Sequence, residues 1–589
     1  MNGISHKLSF LQIKRFTIDR DSCFQLFVET TLIHILGSRI MSTDHIQGSS
    51  STKIIEAMSK LRDVAISLGK YNLDYLLQLC SFLSIMSFLN FKNKTVSLQL
   101  WSFFNPNFIK NLSKAILLSN SNTTKQRYFE ISEFISVFNR LKEIDSLIYN
   151  EDEPGTLNFM LAAIANTQVY YQEADFAREI GRSLLIYDLV PLKYGLKYER
   201  WIDVFQLFQD RYDIPISEMY PLLLAIVMHN ERRYEAINEE LEKTPERMLP
   251  QALLDKFHSL MAQQNYCTVS ITNEDIPEAI YYALSRYYDS ISVSLRDVKS
   301  LVRCITPSIM VSDWHPFRVQ PLVTVAEQQY IVPSIWELVQ HVKKLPSIII
   351  TNLDEGLRKQ LFTNLGFSYE KYVYDYMITK HPHDMIIAES NFNKSDLGPD
   401  ITILDDETNT SVFIEVKSAS IPLPSRNDPL QWDSKLSELV ELVEKLYRKA
   451  VRVFSKEGHY RQFEHQIDQC QIENSILVVV CGDLGYFFDA ILLEKFKSTY
   501  PEFPINNILF LDIVGVENLI EFSSQNGMTL SQAFKRLIDI QNSVIKDTNT
   551  KDAFSQYDRK LTPWYQTFKS SMNSTLLANQ SPSDTMEQL

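Results

Sequence analysis

The sequence lacks the cysteine patterns that mark a disulfide framework or a zinc site. Its six cysteines are scattered, with no CxxC motif and no pairing with histidine at metal-ligand spacing. This arrangement predicts reduced, mostly buried thiols in a cytoplasmic protein. The cysteines are Cys23, Cys80, Cys267, Cys304, Cys470 and Cys481.

A signal peptide and a long apolar run are also missing. Residues 1–20 are polar and carry charges throughout, and the most apolar early run, residues 23–36, is interrupted by Glu29 and His34. A run this short cannot cross a bilayer. We therefore expect a cytoplasmic protein that does not associate with membranes.

Basic residues are outnumbered, with 58 Lys and Arg against 72 Asp and Glu, which gives a net charge of −14. This balance argues against a surface that binds nucleic acid non-specifically, but it leaves room for a local basic groove. The sequence contains no Walker lysine loop and no GxGxxG, HExxH or GxSxG motif. It therefore shows no motor of its own, and a partner would have to supply any ATPase or helicase activity.

The length of 589 residues predicts roughly two to four domains. From Thr52 to about Ser300, apolar residues recur at spacings of three and four, as on helix faces, and we interpret the frequent aromatic residues there as core packing. No catalytic constellation is evident in this part. The predicted divisions are an uncertain segment 1–50, a helical region 51–305, a connecting segment 306–350, an α/β domain 351–525, a helical extension 526–569 and a disordered tail 570–589.

The most informative stretch is a pair of short apolar strands, residues 397–404 and 411–418, joined by the polar residues 405–410. This pattern of two apolar strands and a polar turn predicts a β-hairpin. Asp400 lies at the start of the first strand, and Glu415 and Lys417 lie within the second. Residues two apart on a strand face the same side, so Glu415 and Lys417 emerge together. Charged groups on an apolar strand are costly to desolvate unless they pair or bind an ion.

Helices and strands alternate around this hairpin, which predicts an α/β sandwich with a mixed sheet. A helix that contains Glu370 and a short strand precede it, and a helix and two apolar strands follow. The predicted ranges are 353–378 and 385–388 before the hairpin, and 433–456, 476–480 and 507–514 after it.

This order, with Pro399-Asp400 on one strand and Glu415-Val416-Lys417 on the next, resembles the PD-(D/E)XK (restriction-endonuclease-like) nuclease superfamily over roughly residues 355–520. The resemblance implies Mg²⁺-dependent hydrolysis of phosphodiester bonds, with Mn²⁺ as a possible substitute. Asp400, Glu415 and the backbone carbonyl of Val416 would be metal ligands. Lys417 would orient or help deprotonate the attacking water and stabilise the phosphate. Glu370, counted with the catalytic residues, would hold a metal-bound water or a second ion.

The overall arrangement resembles bacterial nucleases of anti-phage defence or restriction, which implies a DNA endonuclease, with DNA favoured over RNA. The helical region would then sense a trigger, bind a partner or restrain the nuclease. Cutting both strands usually needs two active sites, so a homo-oligomer is possible.

A substrate groove needs positive charge, and the helix after the hairpin offers it at three- and four-residue spacing. Ordinary amphipathicity explains the same pattern, because Glu438, Glu441 and Glu444 share the helix. The candidate nucleic-acid contacts are Lys435, Lys445, Lys449, Arg452, Lys456, Gln462 and Gln466.

Simpler explanations stay open for each site residue. Asp400 could be a turn residue, Glu415 and Lys417 a surface salt bridge on an edge strand, and Glu370 a solvated helical glutamate. The domain could accordingly be a catalytically silent nuclease-fold module that binds nucleic acid, or an interaction subunit of a larger complex. His381 and His383 could bind a metal, although a solvated helix end is the simpler interpretation.

Overall fold

The computed structural model describes residues 18–19, 50–92, 95–96, 106–148, 176–194, 203–262, 268–270, 278–302, 315–343, 345–346, 355–389, 398–420, 432–483 and 488–542. Most of the predicted N-terminal segment, part of the helical extension and the whole predicted tail lie outside these ranges.

The described part up to residue 343 is mainly helical, as the spacing of its apolar residues predicts. In the first helix, for example, Ala57, Leu61, Val64 and Leu68 are buried on one face. The helices are α1 (Ser50–Leu68), α2 (Leu73–Lys92), α3 (Pro106–Leu118), α4 (Ile131–Ile148), α5 (Phe176–Leu184), α6 (Val190–Tyr194), α7 (Val204–Tyr212), α8 (Ile216–Glu242), α9 (Leu249–Met261), α10 (Glu278–Ser290) and α11 (Ile335–Lys343). None of the described helices is long and apolar enough to cross a membrane.

Short strands interrupt these helices, and the helical periodicity does not anticipate them. They are β1 (Ile18–Asp19), β2 (Thr95–Val96), β3 (Thr268–Ser270), β4 (Ser292–Ser294), β5 (Leu322–Ala326) and β6 (Gln329–Ile331). The last four form a small mixed sheet in the order β3-β6-β5-β4, and β1 pairs with β2 in a separate two-stranded ribbon. Strands of two to five residues are too short to show a clear alternation of apolar and polar positions.

The C-terminal part contains a five-stranded mixed sheet, which confirms the predicted α/β organisation. Its strands are β7 (Met385–Ala388), β8 (Ile401–Asp405), β9 (Thr410–Ser420), β10 (Ile476–Asp483) and β11 (Ile508–Asp512). They lie in the order β11-β10-β9-β8-β7. β7, β8 and β9 are antiparallel neighbours, whereas β9, β10 and β11 are parallel.

Helices cover both faces of this sheet. They are α12 (Glu355–Lys380), α13 (Trp432–Phe454), α14 (Glu464–Gln469), α15 (Phe488–Thr499), α16 (Ile513–Gln525) and α17 (Leu530–Asn542). α12 and α16 pack with α17 on the face that contains Val412, Ile414 and Val416, while α13 and α15 pack on the face that contains Phe413.

Several predicted boundaries are wrong by a few residues. α13 ends at Phe454 rather than at Lys456. The last strand ends at Asp512 rather than at Val514, because the Asp512 carboxylate accepts a hydrogen bond from the Gly515 N–H at 2.7 Å and begins α16.

The helical region contacts the C-terminal sheet layer through a buried ion pair. Arg182 on α5 donates from Nη2 to Glu517 Oε2 on α16 at 2.8 Å, and its Nε also contacts this carboxylate. The Tyr372 hydroxyl on α12 donates to Glu517 Oε1 at 2.7 Å. The apolar core is likewise continuous between the helical region and this face of the sheet.

Replacement of Arg182 by Met should lower the free energy of unfolding by about 3–5 kcal/mol, because it leaves the Glu517 carboxylate buried without its cation. Lys193→Met is the matched control. It removes a 2.9 Å pair with Asp375 whose lysine is 57% exposed, and should cost less than about 1 kcal/mol. Urea unfolding measures both.

The double variant Arg182→Met/Glu517→Gln should recover part of the lost free energy of unfolding, since neither member of the buried pair then carries a charge. Equal stability of the Arg182→Met and Lys193→Met variants would contradict a structural role for the buried pair.

Candidate active site

The predicted hairpin is present, and its geometry brings Asp400 next to the second strand. β8 and β9 pair antiparallel from Ile401 opposite Ile414 to Asp405 opposite Thr410. Asp400 directly precedes β8, and its Oδ2 accepts a hydrogen bond from the Val416 N–H at 2.7 Å. The N–H and C=O of one residue in an antiparallel strand point to the same side. The Val416 carbonyl therefore also faces the side on which Asp400 lies.

Glu415 and Lys417 share one face of β9, as their spacing predicts. β9 is the central strand of the sheet and Glu415 is buried, so the alternative of a surface pair on an edge strand is wrong. The opposite face of β9 carries apolar residues that pack in the core, namely Val412, Ile414 and Val416.

Two lysines link the two carboxylates. Lys417 Nζ lies 2.6 Å from Glu415 Oε1 and 3.8 Å from Asp400 Oδ2. Lys449 Nζ, from α13, lies 2.7 Å from Glu415 Oε2 and 3.8 Å from Asp400 Oδ1. Each carboxylate therefore faces both ammonium groups.

Glu370 reaches this cluster from α12, in line with the sequence prediction. Its carboxyl group is mostly buried and close enough to be influenced by the charges of Asp400, Lys417 and Glu415. Burial, reinforced by the negative charge of Asp400, raises the pKa of Glu370 to about 8. The alternative of a fully solvated helical glutamate is therefore wrong.

Glu389 is a further acid at the site that the sequence pattern does not single out. It follows β7, and its N–H donates to the Asp400 carbonyl at 2.9 Å, which continues the pairing of Ala388 with Ile401. Burial raises the pKa of Glu389 to about 7, with Lys449 opposing and Asp400 adding to the shift. In the sequence, only its position as the first acidic residue after the predicted strand 385–388 could have indicated a place at the site.

The four acids and two lysines carry a formal charge of −2 when all are ionised. Burial, together with the charge of Glu415, raises the pKa of Asp400 to about 6. Burial also opposes ionisation of Glu415, but the ammonium groups of Lys417 and Lys449 outweigh it and lower the pKa of Glu415. The charges of Asp400 and Glu415 are thus matched by Lys417 and Lys449, and any excess negative charge comes from ionisation of Glu370 and Glu389.

The chemistry of these donors fits a hard divalent cation. Asp400 and Glu415 each place an oxygen beside the same ammonium nitrogen, so both can approach one shared ion. Within the described ranges, no group of three or more Asp, Glu, His or Cys side chains is arranged to enclose a metal. Mg²⁺ commonly takes only one or two carboxylates and keeps several waters or phosphate oxygens. Asp400, Glu415 and the Val416 carbonyl would be sufficient.

The residues that are predicted to contact nucleic acid lie in different parts of the structure. Lys449 belongs to the acidic cluster, whereas Lys445 and Arg452 are exposed one turn before and one turn after it on α13. Lys456 lies beyond the end of α13, where it pairs with Glu464 and Asp468 at 2.8 Å.

The remaining candidates lie farther along the chain or outside the described side chains. Gln462 is exposed in the 3-10 turn Gly458–Phe463, and Gln466 is half-buried in α14. The backbone of Lys435 lies in α13, but its side chain is outside the described part.

His381 does not form the solvated helix end that the sequence favours. Its ring is buried, and Nε2 lies 2.7 Å from the Ser523 hydroxyl on α16. Burial lowers the pKa of His381, although the neighbouring Asp384 opposes the shift. The ring therefore joins two elements of the fold, while His383 is exposed.

Gly398, two residues before Asp400, allows the chain to approach the Tyr460 ring closely. A Cβ atom there would lie 2.1 Å from Tyr460 Oη and 2.9 Å from two ring carbons. Gly398→Ala should lower the free energy of unfolding by about 1–3 kcal/mol, since one buried group must shift. Urea unfolding provides the measurement.

Gly366→Ala is the matched control, because the nearest atom to a Cβ at this helical position is 4.0 Å away. It should raise the free energy of unfolding by up to about 1 kcal/mol. A Gly398→Ala variant as stable as the wild type would show that Tyr460 does not fix this segment.

Comparisons with known proteins add no relative. No protein-family model, curated protein or solved structure matches this chain.

Proposed function

We propose that the C-terminal domain is a PD-(D/E)XK-type nuclease that hydrolyses phosphodiester bonds with Mg²⁺ or Mn²⁺, with DNA as the first substrate to test. One observation carries the proposal: the carboxylates of Asp400, which directly precedes β8, and of Glu415 on β9 converge on shared lysines beside two further acids. The element order that underlies the resemblance, from α12 through the hairpin to α13 and β10, supports it.

The proposed chemistry gives a role to each group of the cluster. Asp400, Glu415 and the Val416 carbonyl would hold the divalent cation, which supplies Lewis acidity towards a phosphate oxygen and a water molecule. Lys417 is 33% exposed despite its ion pairs. Its ammonium can therefore meet a substrate, orient the attacking water and stabilise negative charge on the phosphate.

Two acids with raised pKa values adjoin these groups and suit proton transfer. Glu370 and Glu389 titrate near neutral pH, which is the range in which a general acid or base operates best. We propose that Glu370 positions the attacking water or accepts a proton from it. Glu389 is a second candidate for that role.

The surface of α13 offers a route for the substrate backbone. Lys445 and Arg452 flank Lys449 at four and three residues, so the three lie on one side of the helix. Lys445 is 62% exposed and lies 3.9 Å from Glu441, and Arg452 lies 4.0 Å from Glu457. Such loose, exposed pairs are weak, so both cations can turn to phosphates.

The test is cleavage of supercoiled plasmid, single-stranded DNA and structured RNA with Mg²⁺, Mn²⁺ or EDTA. Wild-type cleavage should require a divalent cation, and Glu415→Gln and Lys417→Met should each reduce it by at least about 100-fold. Glu407→Gln is the matched control, because Glu407 is exposed in the turn of the same hairpin and should leave cleavage unchanged.

Metal-dependent cleavage that survives both substitutions would contradict the assignment of the site. Absence of cleavage of all three substrates would contradict the enzyme and favour the alternative, a silent nuclease-fold module. The pairing of Asp400 and Glu415 with two lysines is compatible with that alternative, because carboxylates neutralised in this way need no metal. A gel shift without cleavage would be its signature.

A further inference from the structure

Lys449 occupies an unexpected position for a residue of an amphipathic helix. Its neighbour on α13, Arg448, is 73% exposed and pairs with Glu444 on the same helix. The Lys449 side chain is only 21% exposed and its ammonium contacts Glu415 on the central strand. The helix thus inserts one cation into the acidic cluster while it leaves the adjacent cation in solvent.

The oxygens that Lys449 contacts distinguish it from Lys417. Asp400 Oδ2, which faces Lys417, also accepts the Val416 N–H at 2.7 Å. Lys449 instead faces Asp400 Oδ1 and Glu415 Oε2. Both lysines contact one oxygen of each carboxylate, as a shared cation would, but the Asp400 oxygen that faces Lys449 is not the one that accepts the Val416 N–H.

We propose that Lys449 is a built-in counter-cation that holds Asp400 and Glu415 together and competes with the divalent cation for them. This inference rests on the proposed function, because it concerns the same metal ligands. Two buried carboxylates repel each other unless a cation lies between them. Lys449 therefore holds the two carboxylates close together before a metal binds. The metal binds when the Lys449 ammonium moves away from them.

The lysine side chain suits this exchange. Its ammonium is a compact charge on a flexible four-carbon stem, and α13 places it between the exposed Lys445 and Arg452. A withdrawn Lys449 would join these two cations on the outer side of the helix, where phosphates of a bound backbone can replace its carboxylate partners.

The test measures Mn²⁺ binding to the intact chain by electron paramagnetic resonance of free Mn²⁺, without any nucleic acid. Lys449→Gln removes the charge but retains a hydrogen-bond donor for Glu415, so folding should be preserved. It should lower the Kd for Mn²⁺ by at least about tenfold, since a competing unit charge within about 4 Å is lost.

Two control variants separate the effect of the Lys449 charge from the other effects of the substitution. Lys449→Arg keeps a cation and should bind Mn²⁺ no more tightly than the wild type. Arg448→Gln removes the neighbouring exposed cation and should change the Kd by less than about twofold. Circular dichroism of each variant verifies that the fold is intact.

Glu415→Gln distinguishes failure of this inference from failure of the proposed function. Wild-type Mn²⁺ binding that depends on Glu415, together with equal or weaker binding by Lys449→Gln, would overturn the competition and leave the metal site standing. Absence of Glu415-dependent binding in every variant would overturn both.

Discussion

The buried charges of Asp400 and Glu415 are the constraint on which the candidate site depends. Neither carboxylate can remain ionised in the sheet layer without a cation, and the chain supplies two, Lys417 from the same strand as Glu415 and Lys449 from α13. The Lys449 contacts join α13 to the hairpin. The apolar residues of α13 then pack beside Phe413 on the same face.

The other face of the sheet connects the site to the helical region. α12 carries Glu370 towards the acidic cluster, and two residues later Tyr372 donates to Glu517, the partner of Arg182 on α5. One helix therefore contributes to the site and to the contact with the N-terminal region.

The hairpin and its three charged residues can be predicted from the sequence because they depend on local periodicity and on spacing along a single strand. Glu389 cannot, because its proximity to Asp400 depends on the pairing of β7 with β8 across residues 390–397. The sequence predicts Lys449 only as a surface contact, since a helical pattern shows the polar side but not which polar residue the packing turns inward. The burial of His381 depends on Ser523, 142 residues away, and the strands β3 to β6 are too short to be recognised by alternation.

The most direct test of the central claim is anomalous diffraction from crystals of the intact chain soaked in Mn²⁺. We expect an anomalous peak between the carboxylates, about 2.0–2.6 Å from one oxygen each of Asp400 and Glu415, with the Lys449 ammonium displaced from Glu415. Crystals soaked in Mn²⁺ that show no peak at this position, with both lysines still paired to the carboxylates, would contradict a shared metal site.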